Sequence, residues 1–312
     1  MDEPGGGRVM TSWLFPAVPL GRIAVFRTVT YLFVVLDVLW LHTSGWYHGY
    51  ADPVWYQPLI VGEVLHLPAA TVVLVNVLKW GTVAAALVAA ALVAAVGRLP
   101  RLTGALVAAG WIWYQYVAFA YGKVDHDRGD FVIALLLLPT VGSAWWGDRR
   151  RSEAAGFVLR CVQVVAIATY FLSAWAKVRF GGWDWVNSAT MVRAVVRRGT
   201  PWMRWLLDVP WLLHATQWGL FIAEMTSPVI FFVPERIRRW IVYGWFAFHA
   251  MTYASISIAF WPHLVMMLAF LPLEEYAASL RGSWGAWRTR GSRREGGRGS
   301  RPPTDRSRPQ AG

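Results

Sequence analysis

The sequence predicts an all-α integral membrane protein, a polytopic bundle of about eight transmembrane helices. Three observations predict it. Of 312 residues, 56% are hydrophobic and 15% charged, whereas a soluble domain carries about a quarter charged residues. Apolar stretches recur along the chain, most of them long enough to cross a hydrocarbon core of about 30 Å. The 21 tryptophans crowd towards the ends of those stretches, as interfacial aromatic belts do.

The expected spans are 23–41, 70–96, 103–121, 131–146, 157–176, 211–233, 240–258 and 262–276. The first follows Asp2 and Glu3 and is too long for the apolar core of a secretory signal, so it is expected to remain as a helix. The second is long and alanine-rich, which suits tilting and close packing. The fifth ends at Lys177, which opens a tryptophan-rich turn through Trp183 and Trp185. After it, residues 187–198 read as an interfacial amphipathic helix. Val192, Val195 and Val196 lie to one side, while Arg193 and Arg197 repeat at four-residue spacing. No internal repeat stands out. Residues 1–280 form one membrane domain. Residues 281–312 form a disordered tail of nine Arg, one Glu and one Asp, net +7 within a whole-chain charge of +12.

Orientation follows from the loops. Arg98 with Arg101, Arg149 with Arg150 and Arg151, and Arg236 with Arg238 and Arg239 alternate with loops poor in basic residues. The positive-inside rule then predicts a multi-pass protein of the cell membrane with both termini cytoplasmic. The segment 177–209 carries six Lys or Arg and dissents; the interfacial helix accounts for it. The tail is a better match for anionic lipid than for nucleic acid. With this topology His42, His48, His66, His126, His214 and His263 fall in or beside outward loops, together with Asp52, Glu63, Asp125, Asp127, Asp130, Asp184 and Asp208. Titratable groups gathered at one face of an apolar bundle suggest a site, although loops are also simply polar.

Five residues carry the candidate chemistry. Lys177, at the edge of hydrocarbon, is costly to charge and suits a base; the bland alternative is a snorkelling anchor. Arg27 sits within the first span and either faces the bundle interior or snorkels. Glu224 lies deep in the sixth span beside Pro228, which marks a helix distortion. His249 lies mid-span, where a lone histidine is usually a hydrogen-bonded packing residue. His126 stands among Asp125, Asp127 and Asp130, whose carboxylates would orient its ring. No HExxH zinc spacing, GxSxG elbow, P-loop or GxGxxG is present, and His42 and His48 with Asp52 are only a weak metal set. The single Cys161 excludes a disulfide framework and reads as a small packing residue.

Four stretches then carry a family likeness. They are Gly21-Arg22 to Arg27, Asp125-His126 before 131–139 and the turn ending Trp146-Gly147-Asp148, Tyr170 to Lys177 with Trp183 six residues on, and Glu224 to Pro234 followed by Phe248-His249 and Phe260-Trp261-Pro262-His263. In this order the chain resembles the HTTM family, the membrane domain shared with vitamin K-dependent gamma-glutamyl carboxylase, over about residues 22–276. The resemblance implies that Lys177 is the base that deprotonates a reduced quinone of the menaquinone or vitamin K type, and that His126 assists epoxidation. Arg27, Glu224, His249 and Trp183 would then surround that quinone. Where the carboxylase has two adjacent lysines, this chain has Lys177-Val178-Arg179. The carboxylase continues into a large outward domain, whereas an Arg-rich tail follows here, so quinol oxygenation is expected rather than protein carboxylation. No metal is expected. The expected partners are a lipophilic small molecule and membrane lipids, with no protein partner named by the sequence. The competing class is a non-catalytic membrane partner or immunity-type protein, and a transporter stands third because no inverted repeat is seen. If the enzyme class holds, the Lys177 amine and the His126 ring should lie within roughly a dozen ångströms, about one helix diameter.

Overall fold

The computed structural model describes residues 11–41, 44–122 and 126–280. Among them the only strands are β1 (Val18–Pro19) and β2 (Arg151–Ser152), a short antiparallel pair. Everything else that is regular is helical. Among the described residues the longer α-helices, besides a run at 273–280, are α1 (Leu20–Leu36), α2 (Val72–Ala95), α3 (Pro100–Ala120), α4 (His126–Leu137), α5 (Glu153–Gly181), α6 (Thr190–Arg198), α7 (Pro210–Thr226), α8 (Glu235–Ile256) and α9 (Trp261–Met267).

Three helical stretches are long and apolar enough to cross a membrane: Leu20–Leu41, Val72–Ala95 and Glu153–Gly181. The expected count of eight such spans is not reproduced, and the reasons are local. The stretch 131–146 breaks because Pro139 has no N–H to continue a helix, and a 3-10 turn at Leu138–Thr140 ends it. Pro228 does the same to 211–233: α7 stops at Thr226 and a 3-10 turn follows at Ser227–Phe231. The last stretch divides into α9, a 3-10 turn, an extended Leu271-Pro272 and a helical run at 273–280. In contrast α3 and α8 are 21 and 22 residues long. Trp, Tyr and Gln in α3, and the Glu235–Arg239 start of α8, dilute their hydropathy.

The core lies between α1, α2, α3, α4 and α5, where Phe26, Tyr31, Trp111, Tyr114, Phe131 and Leu135 are fully buried. Small residues bring α2 and α3 together. A Cβ at Gly110 would stand 2.5 Å from the Thr82 hydroxyl oxygen, so glycine here makes room for the Thr82 side chain between the two helices. Gly156 does the same for α5, where a Cβ would overlap the backbone carbonyl of Pro16.

Past Leu36 the first helix widens into a π-helical turn, Asp37–Leu41. Its cause is the fully buried Asp37, which accepts from Trp111 Nε1 (3.0 Å), Gln115 Nε2 (3.1 Å) and Arg128 Nη2 (2.8 Å). At the other end of α1, Arg22 donates Nε and Nη2 to both carboxylate oxygens of Glu274, at 2.8 and 2.7 Å. That fork ties the first helix to the last.

Two expectations about the middle of the chain need adjusting. Lys177 does not open a turn: α5 runs through it to Gly181, and Gly182 with φ +62° ends the helix. The amphipathic helix is α6, and its sides are split differently. Val195 is buried against Leu206 and Leu213, whereas Val196 is exposed beside Arg197.

Candidate functional site

A cavity of about 560 Å³ opens between α4, α5, α7, α8 and α9. Within the α5 wall the sequence spacing explains the lining. Tyr170, Ser173 and Lys177 follow at i, i+3 and i+7, so they share one helix face. α4 contributes Asp127 and Asp130 from its first turns, α7 contributes Glu224, α8 contributes Phe248 and His249, and α9 contributes Phe260 and His263.

At one end Lys177 Nζ donates to Glu224 Oε2. The amine also stands 4.9 Å from the centre of the Trp185 ring, a cation–π contact. Both members are largely withdrawn from solvent, with side chains 20% and 12% exposed. Two turns along α5, the Tyr170 hydroxyl and His249 Nε2 share a hydrogen bond of 2.7 Å. Trp245 stacks on the Tyr170 ring at 3.8 Å and fixes it. His263 meets the same ring edge-on at 4.6 Å and lies 5.6 Å from His249. On the α4 side, Thr169 Oγ1 donates to Asp130 Oδ2 at 2.7 Å. The arrangement offers an amine, a carboxylate, a phenol and two imidazoles to one partly open cavity, which suits proton exchange with a bound molecule.

Of the residues singled out in the sequence, Lys177, Glu224 and His249 meet in this cavity. His126 begins α4 one residue before Asp127; its side chain, and with it the expected separation from Lys177, lies outside the described residues, as do His42 and Asp125. Arg27 is elsewhere. Its fully buried guanidinium donates to Leu138 O (2.7 and 3.2 Å), to Gly142 O (3.0 Å) and to Val141 O. Those carbonyls belong to the 3-10 turn after α4 and the chain that follows it, so Arg27 ties down that segment and is not among the residues lining the cavity. Trp183 is 59% exposed and lies beside Trp218 at 6.4 Å, while Trp185 takes the place at the amine.

His48 packs at 5.1 Å on Tyr121, and Asp52 caps the 3-10 turn at Pro53–Trp55 by accepting from Val54 N at 2.9 Å. Among the described residues no three His, Cys, Asp or Glu side chains come together as metal ligands. Tyr170, Asp130 and Thr169 were not singled out as site residues, and His263 was counted only as a loop histidine. Tyr170 had a readable signal, since it stands seven residues before Lys177 and so shares its helix face. Comparison with protein-family models, with curated proteins and with solved structures finds no match for this chain.

Proposed function

We propose that this chain is a multi-pass protein of the cell membrane, HTTM-like, that oxygenates a quinol at an outward-facing site with Lys177 as the base. In this reading further helices cross beside the three long apolar ones, α3 and α8 foremost, and both termini are cytoplasmic. The observation that carries it is the Lys177–Glu224 contact on the wall of a partly open cavity shared with Tyr170, His249 and His263. A volume of about 560 Å³ falls within the range of about 300–1,000 Å³ common for small-molecule sites. The apolar lining from Leu172, Ala176, Phe248 and Phe260 suits a flat lipophilic ring.

The chemistry follows from the pair. Lys177 and Glu224 together form a couple of zero net charge, in which the carboxylate takes the ammonium proton and frees the amine lone pair. The amine then removes a proton from a quinol hydroxyl. Oxygen adds to the resulting electron-rich ring. Overall one quinol and one dioxygen give one quinone epoxide and one water, with dioxygen reduced and the quinol oxidised.

The test is direct. Purified protein in lipid nanodiscs, given reduced menaquinone and oxygen, should form the epoxide. Lys177→Ala should abolish it at a temperature where the variant, though less stable, keeps its helical circular dichroism. Equal turnover in that variant removes Lys177 from the mechanism, and no epoxide from the unmodified protein overturns the quinol reading.

A further inference from the structure

We propose that His263 is the specificity-determining residue of this cavity, holding a second ligand oxygen opposite the one that meets Lys177. The inference rests on the quinol reading and deepens it. His263 is 2% exposed and lines the cavity. Neither Nδ1 nor Nε2 of its ring has a hydrogen-bond partner among the described residues. A buried imidazole with both nitrogens unsatisfied is costly, and native interiors avoid it unless something else supplies the partner.

Its protein neighbours do not supply one. The Tyr170 hydroxyl is engaged with His249 Nε2, and the Tyr170 ring presents only its edge or face to His263. Asp130 accepts from Thr169. A ligand oxygen would supply the partner that His263 lacks, as it would for His249 Nδ1, which is also buried without one. A neutral imidazole offers one N–H and one lone pair. It can accept from the hydroxyl of a quinol or donate to the carbonyl of the corresponding quinone, so it serves both redox forms.

The length of the α5 wall between the two ends leaves room for such a ligand. Tyr170, which contacts His263, and Lys177 are seven residues apart on α5, a rise of about 10.5 Å. A six-membered ring with oxygens on opposite carbons spans about 5 Å between them, and a hydrogen bond of ~2.8 Å at each end brings the total to about 11 Å. Between the two ends the wall is Ser173 and Ala176, small enough to leave room for the ring itself. A compound with a single oxygen would satisfy Lys177 and leave His263 as it is.

Binding discriminates these cases without any turnover. The probes are 2-methyl-1,4-naphthoquinone, with two opposed oxygens, and 1-tetralone, with one, titrated into nanodisc-embedded protein by tryptophan quenching. The unmodified protein should bind the dione about tenfold tighter than the mono-ketone, the value of roughly one net hydrogen bond. His263→Phe should erase that preference and leave the 1-tetralone affinity unchanged. His263→Gln, which retains a donor and an acceptor, should restore most of it. An equal loss for both probes in the Phe variant, or no loss for either, overturns the role of His263 while leaving the quinone site standing. No binding of either probe to the unmodified protein overturns the quinol reading and this inference together.

Discussion

At the single residue, the telling feature is that Lys177 touches an acid. An isolated amine at the edge of hydrocarbon would be driven to discharge; beside Glu224 it is part of a pair whose members stabilise each other. Removing one member strands the other. Lys177→Met or Glu224→Gln alone should lower stability by about 2–3 kcal/mol, less than the full cost of breaking a wholly buried pair because both side chains retain some exposure. Lys177→Met combined with Glu224→Met should lose clearly less than the sum of the single changes. Equilibrium unfolding in mixed micelles measures the cycle, and strict additivity would show that the contact carries no coupling. Lys177, Glu224 and His249 were legible in the sequence because charge and imidazole are rare inside apolar runs. His263 was less so, since Phe260-Trp261-Pro262-His263 looks like a loop when Pro262 is in truth the second residue of a helix. The role of Arg27 could not be read at all. Its partners are backbone carbonyls of the 3-10 turn after α4 and the chain that follows it.

At the level of elements, helix type was readable and helix length was not. Hydropathy located the long apolar runs, but Pro139 and Pro228 decided where α4 and α7 end, and an apolar run containing proline scores like an unbroken one. Pairing between distant loops left no pattern to find. The clasp between β1 and β2 extends into Leu20 N donating to Arg150 O and Gly21 N donating to Asp148 O, both at 2.8 Å. Asp148 itself accepts from Arg150 Nη2 and from the Arg150 backbone N–H at 3.0 Å. The side-chain hydrogen bond from Arg150 holds its carboxyl below the usual carboxylate range. A carboxyl depressed by folding stabilises fully above its unfolded value of about 3.9 and loses that contribution as pH falls through the folded value. The unfolding midpoint should therefore decline in this acidic window, and Asp148→Asn should flatten that part of the profile. An unchanged profile in the variant would exclude the clasp as a source of acid sensitivity.

For the whole molecule the open question is which way it faces. The basic loops at Arg149–Arg151 and at Arg236–Arg239 lie at the starts of α5 and α8, whose far ends approach the α6 region. In a Cys161→Ser background, a Trp211→Cys variant should react with a membrane-impermeant maleimide on intact cells, and an Arg236→Cys variant only after permeabilisation. The reverse pattern would invert the topology and turn the proposed site towards the cytoplasm. Within this frame, two contacts described separately belong together. Arg27 holds the carbonyl of Leu138 at 2.7 Å, while Asp37 holds Arg128 at 2.8 Å. Ten residues separate Arg27 from Asp37, and ten separate Arg128 from Leu138. The first helix thus measures out α4 like a ruler and pins it at both marks. Sliding in either direction breaks one grip or the other, so the wall bearing Asp127 and Asp130 is an anvil. Entry of a guest is then expected from the side of α7 and α8, since α9 packs closely against α4.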